Sequence, residues 1–411
     1  MANLHCAIPA CFESSNLTGD AIETMWLEAI FTVLLGILAF RWGNRTGRFL
    51  LRKGATADNL FKGKTSVSLA FLGLYMALLL LALYVPQFQG LPLEWRVYGM
   101  RVTWTLMRVM LLGFCGLAYV ITWNTARMQV AAVFLLGILG LGGFTVAEAY
   151  VLSPIYASLN DNLLPTGIYR QTSNSSCAPS ALANVLRLWG IEEATESSVA
   201  RLAGTSRLGT SMPQLVVAAQ GFGMDATELF PTWEQMRQIN RPGVLASWLY
   251  SDVGKTPHAI ALLGMSEDTA IVADSAFGKI FEVPRQQFEE IWRQEYVPIF
   301  PHMDVFLAPG EAATYLHQLG YLAKPAIEPA DGLKAAVQKF QQDMGIKTTG
   351  ELNLETVLLL TGPFLSGVPT LQGENQSNNS NLPIHWTGEL PFGSASSPLP
   401  PDAVSTASIA L

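Results

Sequence analysis

Four long apolar runs in the first 151 residues constrain this chain more than any other feature. They cover residues 24–40, 66–85, 102–121 and 130–151. A helix needs about 20 apolar residues to cross a bilayer core of roughly 30 Å, and each run meets or approaches that length. Half of all residues are hydrophobic and only 14% are charged, which is typical of a membrane protein. The pattern predicts four transmembrane helices at 24–151, with buried helices of a soluble domain as the alternative.

Basic residues predict the orientation of these helices. The connection between the first two runs is rich in Lys and Arg, and the N-terminal tail, residues 1–23, has neither. Basic connections stay in the cytoplasm, so the tail is expected outside. An even number of spans then places everything after residue 151 outside too, which is the periplasm in a bacterium with two membranes. The net charge of −7 argues against nucleic acid as a partner.

Two charged residues fall inside the predicted spans. Glu28 lies in the first run and Arg108 in the third. Charges inside a bilayer need a partner or a path to the interface. We expect these two either to pair with each other or to reach the membrane surface.

A polar loop that leads into a helix carries the cysteine of the water-soluble part. After Cys177, apolar residues recur at helical spacing from Leu182 to Trp189, and Gly190 ends the predicted helix. A thiol at a helix start lies beside unpaired backbone N–H groups and the positive end of the helix dipole, which both favour the nucleophilic thiolate. The alternative is a small buried cysteine that packs the helix start.

Two strand-like runs downstream supply the partners that a nucleophilic cysteine needs. Residues 257–264 begin a buried strand with His258, and residues 270–274 end the next strand with Asp274. A base and a carboxylate that orients it complete a nucleophilic triad with Cys177. The amide of Gln171, six residues before the cysteine, can donate to the oxyanion of acyl transfer. Neither paired histidines nor a Cys-x-x-Cys motif occurs, so no metal or other cofactor is predicted.

The order Gln171, Cys177, His258, Asp274 resembles the C39-like branch of the papain-fold cysteine peptidases, over about residues 165–300. The segments 202–205, 274–278 and 288–292 also resemble that family. The resemblance implies an α+β papain-like peptidase domain at 166–301, with these four residues as its catalytic groups and a peptide or protein as substrate. The sequence departs from the family at Ala178, where a glycine is common, and at Ser275, where a proline is usual.

A second small unit is predicted at 308–362. Its segments Ala336-Val-Gln-Lys-Phe-Gln and Thr349-Gly are similar to the peptidoglycan-binding three-helix module. The resemblance implies a small all-α domain and peptidoglycan as a partner, with a plain helical cap on the peptidase domain as the alternative. Residues 152–165 are predicted to be a linker. Residues 363–411, rich in Asn, Ser, Gly and Pro, are predicted to be a disordered tail.

Together these features predict a multidomain, multi-pass protein of the bacterial cytoplasmic membrane, with the lipid bilayer as a further partner. Its expected function is that of an extracytoplasmic thiol protease, a hydrolase that uses Cys177, His258, Asp274 and Gln171. The alternative is a catalytically lapsed peptidase fold that acts as a scaffold between membrane and cell wall in secretion or envelope assembly. The family's leader cleavage beside an ATP-driven exporter is not expected, since the chain has no Gly-x-x-x-x-Gly-Lys phosphate loop. Cys6 and Cys11 leave open a disulfide between them.

Overall fold

The computed structural model describes residues 17–59, 73–74, 76–77, 80–81, 91–251, 254–325 and 330–373. The chain divides into two compact units, Met1–Ala149 and Tyr150–Leu411. Most of the apolar run 66–85, Cys6 and Cys11, and the tail beyond residue 373 lie outside the described residues.

The first unit contains three long helices among its described residues. These are α1 (Leu17–Arg52), α2 (Leu93–Thr125) and α3 (Val130–Val151). In the described part of the chain, two helical segments, Arg101–Thr125 and Arg127–Val151, are long and apolar enough to cross a membrane. They coincide with the third and fourth predicted spans. The number of spans and their orientation stay predictions.

Helices α1 and α2 approach each other closely because glycines line their contact. A Cβ atom at Gly43 would lie 1.9 Å from the carbonyl oxygen of Gly113, and one at Gly116 would lie 2.3 Å from that of Phe40. Small residues let helix backbones touch in this way. The α1–α2 pairing therefore depends on the absence of side chains at these positions.

Arg108 forms an ion pair with Glu148, whereas the sequence suggested Glu28 as its partner. Its Nη2 lies 2.7 Å from the Glu148 Oε2, so the pair joins α2 to α3. Both side chains are largely buried. Glu148 is near the end of the last apolar run, where the sequence pattern gave no reason to single it out.

We predict that Gly43→Leu disrupts the α1–α2 contact at a cost of about 2 kcal/mol, because the new side chain collides with backbone atoms that cannot rotate away. The measurement is disulfide cross-linking between Ala39→Cys and Gly113→Cys in a chain without its native cysteines. A Cβ at Gly113 would lie 3.6 Å from the Ala39 Cβ, which suits a disulfide. Cross-linking should fall with Gly43→Leu and persist with Gly142→Leu, because no atom of the described residues lies within 4 Å of a Cβ at Gly142. Equal cross-linking in both would contradict the prediction.

The second unit combines helices with a sheet. Its helices up to residue 301 are α4 (Cys177–Leu188), α5 (Glu196–Leu202), α6 (Met212–Gly221), α7 (Trp233–Ile239) and α8 (Arg285–Ile291), the last of which lies between the final two strands. The strands are β1 (Asn162–Leu163), β2 (Tyr169–Arg170), β3 (Met224–Ala226), β4 (Gly243–Ser251), β5 (Gly254–Met265), β6 (Thr269–Asp274), β7 (Lys279–Pro284) and β8 (Trp292–Pro301). This is the α+β arrangement that the sequence predicts.

Six of these strands form one antiparallel sheet among the described residues. Their order is β3-β8-β4-β5-β6-β7, so β5 and β6 are neighbours near one side. Ala261 on β5 pairs with Ala273 on β6, which brings the beginning of β5 beside the end of β6. Helix α4 packs against β5. The sheet thus brings together three segments that lie far apart in the sequence.

Residues 152–165, predicted to be a linker, pack against the helices of the second unit. Ile155 and Leu159 form a small buried cluster with Ala200. The backbone N–H of Ile155 also donates to the carbonyl of Thr205 at 3.2 Å. Apolar residues at suitable spacing give this segment a side that can be buried.

Three C-terminal helices complete the unit: α9 (Pro309–Gln318), α10 (Ala330–Asp343) and α11 (Leu354–Thr361). They share one hydrophobic core with the sheet, rather than having a core of their own. Its members include Trp233, Leu245, Ile260, Phe288, Phe300, Leu316, Phe340 and Leu358. Burial of this continuous apolar surface is what holds the C-terminal helices in place.

Arg241 adds a polar connection between the part that contains the sheet and the C-terminal helices α9–α11. It is 1% exposed, and its guanidinium donates to the carbonyls of Ile239 and Leu358 and to Thr361 Oγ1. It also pairs with Asp304 Oδ2 at 3.0 Å. The sequence suggests that Asp304 marks the end of the peptidase domain in an apolar strand. Only the strand part of that interpretation is wrong, because Asp304 lies in the 3₁₀ turn His302–Val305 and partners a buried arginine.

Candidate active site

Cys177 is the first residue of helix α4. Its side chain is partly exposed and is not in a disulfide. The face behind it, from Ala178 to Leu186, is buried, so the helix is fixed while its first residue remains accessible. The N–H groups of the first helical turn lack partners inside the helix and favour negative charge nearby. The thiol therefore has the environment of a nucleophile.

His258 is the first buried residue of β5, after four exposed ones. Its Nε2 lies 2.8 Å from Asp274 Oδ1, and the two side chains are nearly inaccessible to solvent. Because Nε2 faces the carboxylate, Nδ1 is the nitrogen that remains for another partner. The pair has the geometry of a base held in one orientation by an acid.

Asp274 ends β6 and is fixed by the turn that follows. Its Oδ1 also accepts from the backbone N–H of Ala276 at 2.8 Å, and its carbonyl accepts from the N–H of Gly278 at 2.8 Å. Gly278 has φ +63°, and a Cβ there would lie 2.5 Å from a Leu164 methyl carbon, so the position requires glycine. The carboxylate is thus held by its own turn as well as by the histidine.

The ionisation of His258 reflects both partners. Burial lowers the pKa of the imidazole, but hydrogen bonds and charge interactions with Asp274 and Cys177 outweigh burial and raise the pKa from 6.5 to about 10. These interactions therefore favour the imidazolium form of the ring beside Cys177.

Gln171 lies beside this group but donates within its own loop. Its backbone N–H bonds the carbonyl of Ser275 at 2.9 Å, which places it next to the Asp274 turn. Its Nε2 donates to the carbonyl of Ser173 at 3.1 Å. Its Oε1 is buried without a hydrogen-bond partner among the described residues. A primary amide has two N–H donors, so one remains for an oxyanion.

The structure therefore brings Cys177, His258 and Asp274 together and places Gln171 at their side. It also includes two residues that the sequence did not indicate as part of the site. Asn184 and Glu196 are buried, and each bonds the segment that carries Gln171. For Asn184 the available signal was a polar residue within an apolar helix face, which is a weak one.

Two parts of the chain match known protein families. Residues 166–303 match the peptidase C39 family, and residues 310–360 match the peptidoglycan binding domain family. Over 145 residues the chain is 34% identical to an uncharacterized protein of Methanothermobacter thermautotrophicus, covering 35% of this chain and 91% of that protein. The fold and the family match define a peptidase-fold domain. The chain belongs to the peptidase C39 family through residues 166–303, and it also carries a domain of the peptidoglycan-binding family.

Two solved structures illustrate what the fold of the chain is similar to. The peptidase domain of Streptococcus ComA, a bifunctional ABC transporter, is 17% identical, with a TM-score of 0.29, and the match covers 33% of this chain and 98% of that one. A periplasmic domain of the EpsAB fusion protein of the Vibrio vulnificus type II secretion system is 15% identical, with a TM-score of 0.28, and the match covers 50% and 89%.

Proposed function

We propose that this chain is a membrane-anchored cysteine peptidase that acts outside the cytoplasm. The buried His258–Asp274 pair carries the proposal. Burying a polar pair such as a histidine and a carboxylate costs free energy. Side chains whose pKa is shifted in this way concentrate at catalytic sites. Cys177, at the start of a helix beside that histidine, is the nucleophile that the pair would activate.

In the proposed reaction, His258 holds the proton that Cys177 gives up. The thiolate attacks the carbonyl carbon of the scissile peptide, and the oxyanion accepts hydrogen bonds from the Gln171 amide and the Cys177 backbone N–H. The imidazolium then protonates the leaving amine, and a thioester with Cys177 remains. His258 next removes a proton from water, which attacks the thioester and releases the acid. Asp274 keeps the imidazole in one tautomer throughout.

The membrane and wall assignments rest on separate observations. Two described helices have the length and apolar composition of membrane spans. The basic residues that follow the first apolar run, from Arg41 in the last part of α1 onward, favour a cytoplasmic location for that segment. The helices α9–α11 coincide with the match to the peptidoglycan-binding family. A peptidase with these parts would be anchored at one end and would contact the wall next to its catalytic domain.

Alkylation of the thiol tests the catalytic proposal. In the purified full chain at pH 6–7, iodoacetamide should modify Cys177 at least about tenfold faster than in His258→Ala, because the imidazolium maintains the thiolate. Mass spectrometry of the Cys177 peptide gives the rate. His302→Ala is the matched control, since His302 also pairs with an aspartate, Asp225, at 3.1 Å, but is exposed. Equal rates in wild type and His258→Ala would favour the scaffold function.

A further inference from the structure

The segment that carries Gln171 is held by three other elements. The N–H of Tyr169 donates to Asn184 Oδ1 at 2.7 Å on α4. The N–H of Gln171 donates to the Ser275 carbonyl at 2.9 Å in the turn after β6. The N–H and the hydroxyl of Thr172 donate to the Glu196 carboxylate, at 2.7 and 2.8 Å, on α5. Almost every backbone donor of this short segment therefore has a partner outside it.

Asn184 connects this segment to the carboxylate turn as well. Its Nδ2 donates to Ser275 Oγ at 3.2 Å, while its Oδ1 holds Tyr169. Asn184 is 5% exposed and Ser275 is fully buried. Asn184 also lies two helical turns after Cys177, on the same face of α4. One amide thus joins the nucleophile helix, the Gln171 segment and the residue next to Asp274.

The bonds of Asn184 do more than give buried polar groups a partner, because they reach residues close to Gln171 and Asp274. Tyr169 is two residues before Gln171, and Ser275 directly follows Asp274. A shift of either partner would therefore move a group of the site relative to Cys177. Ser275 stands where the C39 family usually has proline, and proline offers no hydroxyl to Asn184.

We propose that Asn184 is a positioning residue, which sets the placement of Gln171 and Asp274 relative to Cys177 through its bonds to Tyr169 and Ser275. The proposal rests on the proposed peptidase function, because it assumes that the arrangement serves catalysis. Asn184 acts through its neighbours and does not contact substrate. A leucine of similar size removes both bonds without opening a large cavity.

The test compares alkylation of Cys177 by iodoacetate and by iodoacetamide as the pH rises. A protonated His258 attracts the anionic reagent, so the ratio of the two rates stays high until the ring loses its proton. In the purified full chain the ratio should fall near pH 10, the pKa of His258. In Asn184→Leu, Asp274 is held less firmly against the ring. The fall should therefore move at least about one pH unit lower.

Two further variants make the result decisive. Val185→Ala removes a fully buried methyl pair from the same helix and should lower the melting temperature without moving the pH midpoint. Ser275→Ala breaks only the Asn184–Ser275 bond and should move the midpoint in the same direction by less. An unchanged midpoint in Asn184→Leu, or in Ser275→Ala if Asn184→Leu does not fold, would overturn the proposal. A wild-type ratio equal to that of His258→Ala would instead overturn the peptidase function itself.

Discussion

Replacing Arg241 with leucine should lower the free energy of unfolding of the second unit by about 3–5 kcal/mol. The guanidinium is 1% exposed and bonds the carbonyls of Ile239 and Leu358 and the side chains of Asp304 and Thr361. Leucine leaves a carboxylate and several buried oxygens without this donor, and each such loss costs more than the bond contributed. Because Leu358 and Thr361 belong to α11, that helix should detach first.

Urea unfolding of the full chain, combined with limited proteolysis, measures the effect. The midpoint should fall, and cleavage within residues 309–361 should begin at lower urea than in wild type. Arg285→Leu is the control. Arg285 lies at the surface, where it pairs with Glu234 and Glu289 at 2.8 Å, so its loss should cost less than about 1 kcal/mol. Equal midpoints for Arg241→Leu and wild type would show that the C-terminal helices do not depend on this arginine.

The second large effect concerns Asp274→Asn and should depend on pH. The folded pKa of His258, about 10, exceeds the ordinary 6.5, so folding favours the protonated ring. The resulting stabilisation is complete below about pH 6.5 and disappears as the pH rises through about 10. Asparagine removes the charge that supports the imidazolium. The variant should therefore be less stable by about 3 kcal/mol at pH 6 and by less than about 1 kcal/mol at pH 10.5.

Chemical denaturation at pH 6, 8 and 10.5 gives the difference between the two proteins. Asp225→Asn is a suitable comparison, because Asp225 faces the exposed His302 and should contribute no more than about 0.5 kcal/mol. A wild-type advantage that stays constant from pH 6 to 10.5 would mean that His258 is neutral in the folded protein.

Local sequence patterns were sufficient for the elements that carry the site. The helix at Cys177 ends before Gly190, whose φ of +77° suits the glycine that the sequence places there. His258 and Asp274 lie on neighbouring strands. Asp274 ends β6 as the sequence predicts, whereas β5 begins four residues before His258, which opens only its buried part. Each of these features depends on residues within one helical turn or one strand, which is the range over which apolar spacing is informative.

Long-range partners were beyond the reach of the same reasoning. Asn184 and Ser275 are 91 residues apart, and Arg241 and Thr361 are 120 apart. Nothing in their local sequence indicates which distant group each one meets. Strand β3 ends at Ala226, although the apolar pattern extends to Phe230, because the chain after Ala226 makes only a single bridge, from Leu229 to Tyr296. Tertiary contacts decide such limits.

The continuous core beneath α9–α11 bears on how this chain can change in evolution. Recombination usually exchanges domains that fold by themselves, and it needs only a tolerant joint between them. Here α9–α11 cover apolar side chains of the six-stranded sheet, including Ile260 and Phe300. A replacement module would have to match that surface residue by residue. The sheet and helices α9–α11 should therefore be inherited together. A substitution on one side of this core should be accompanied by a compensating substitution on the other.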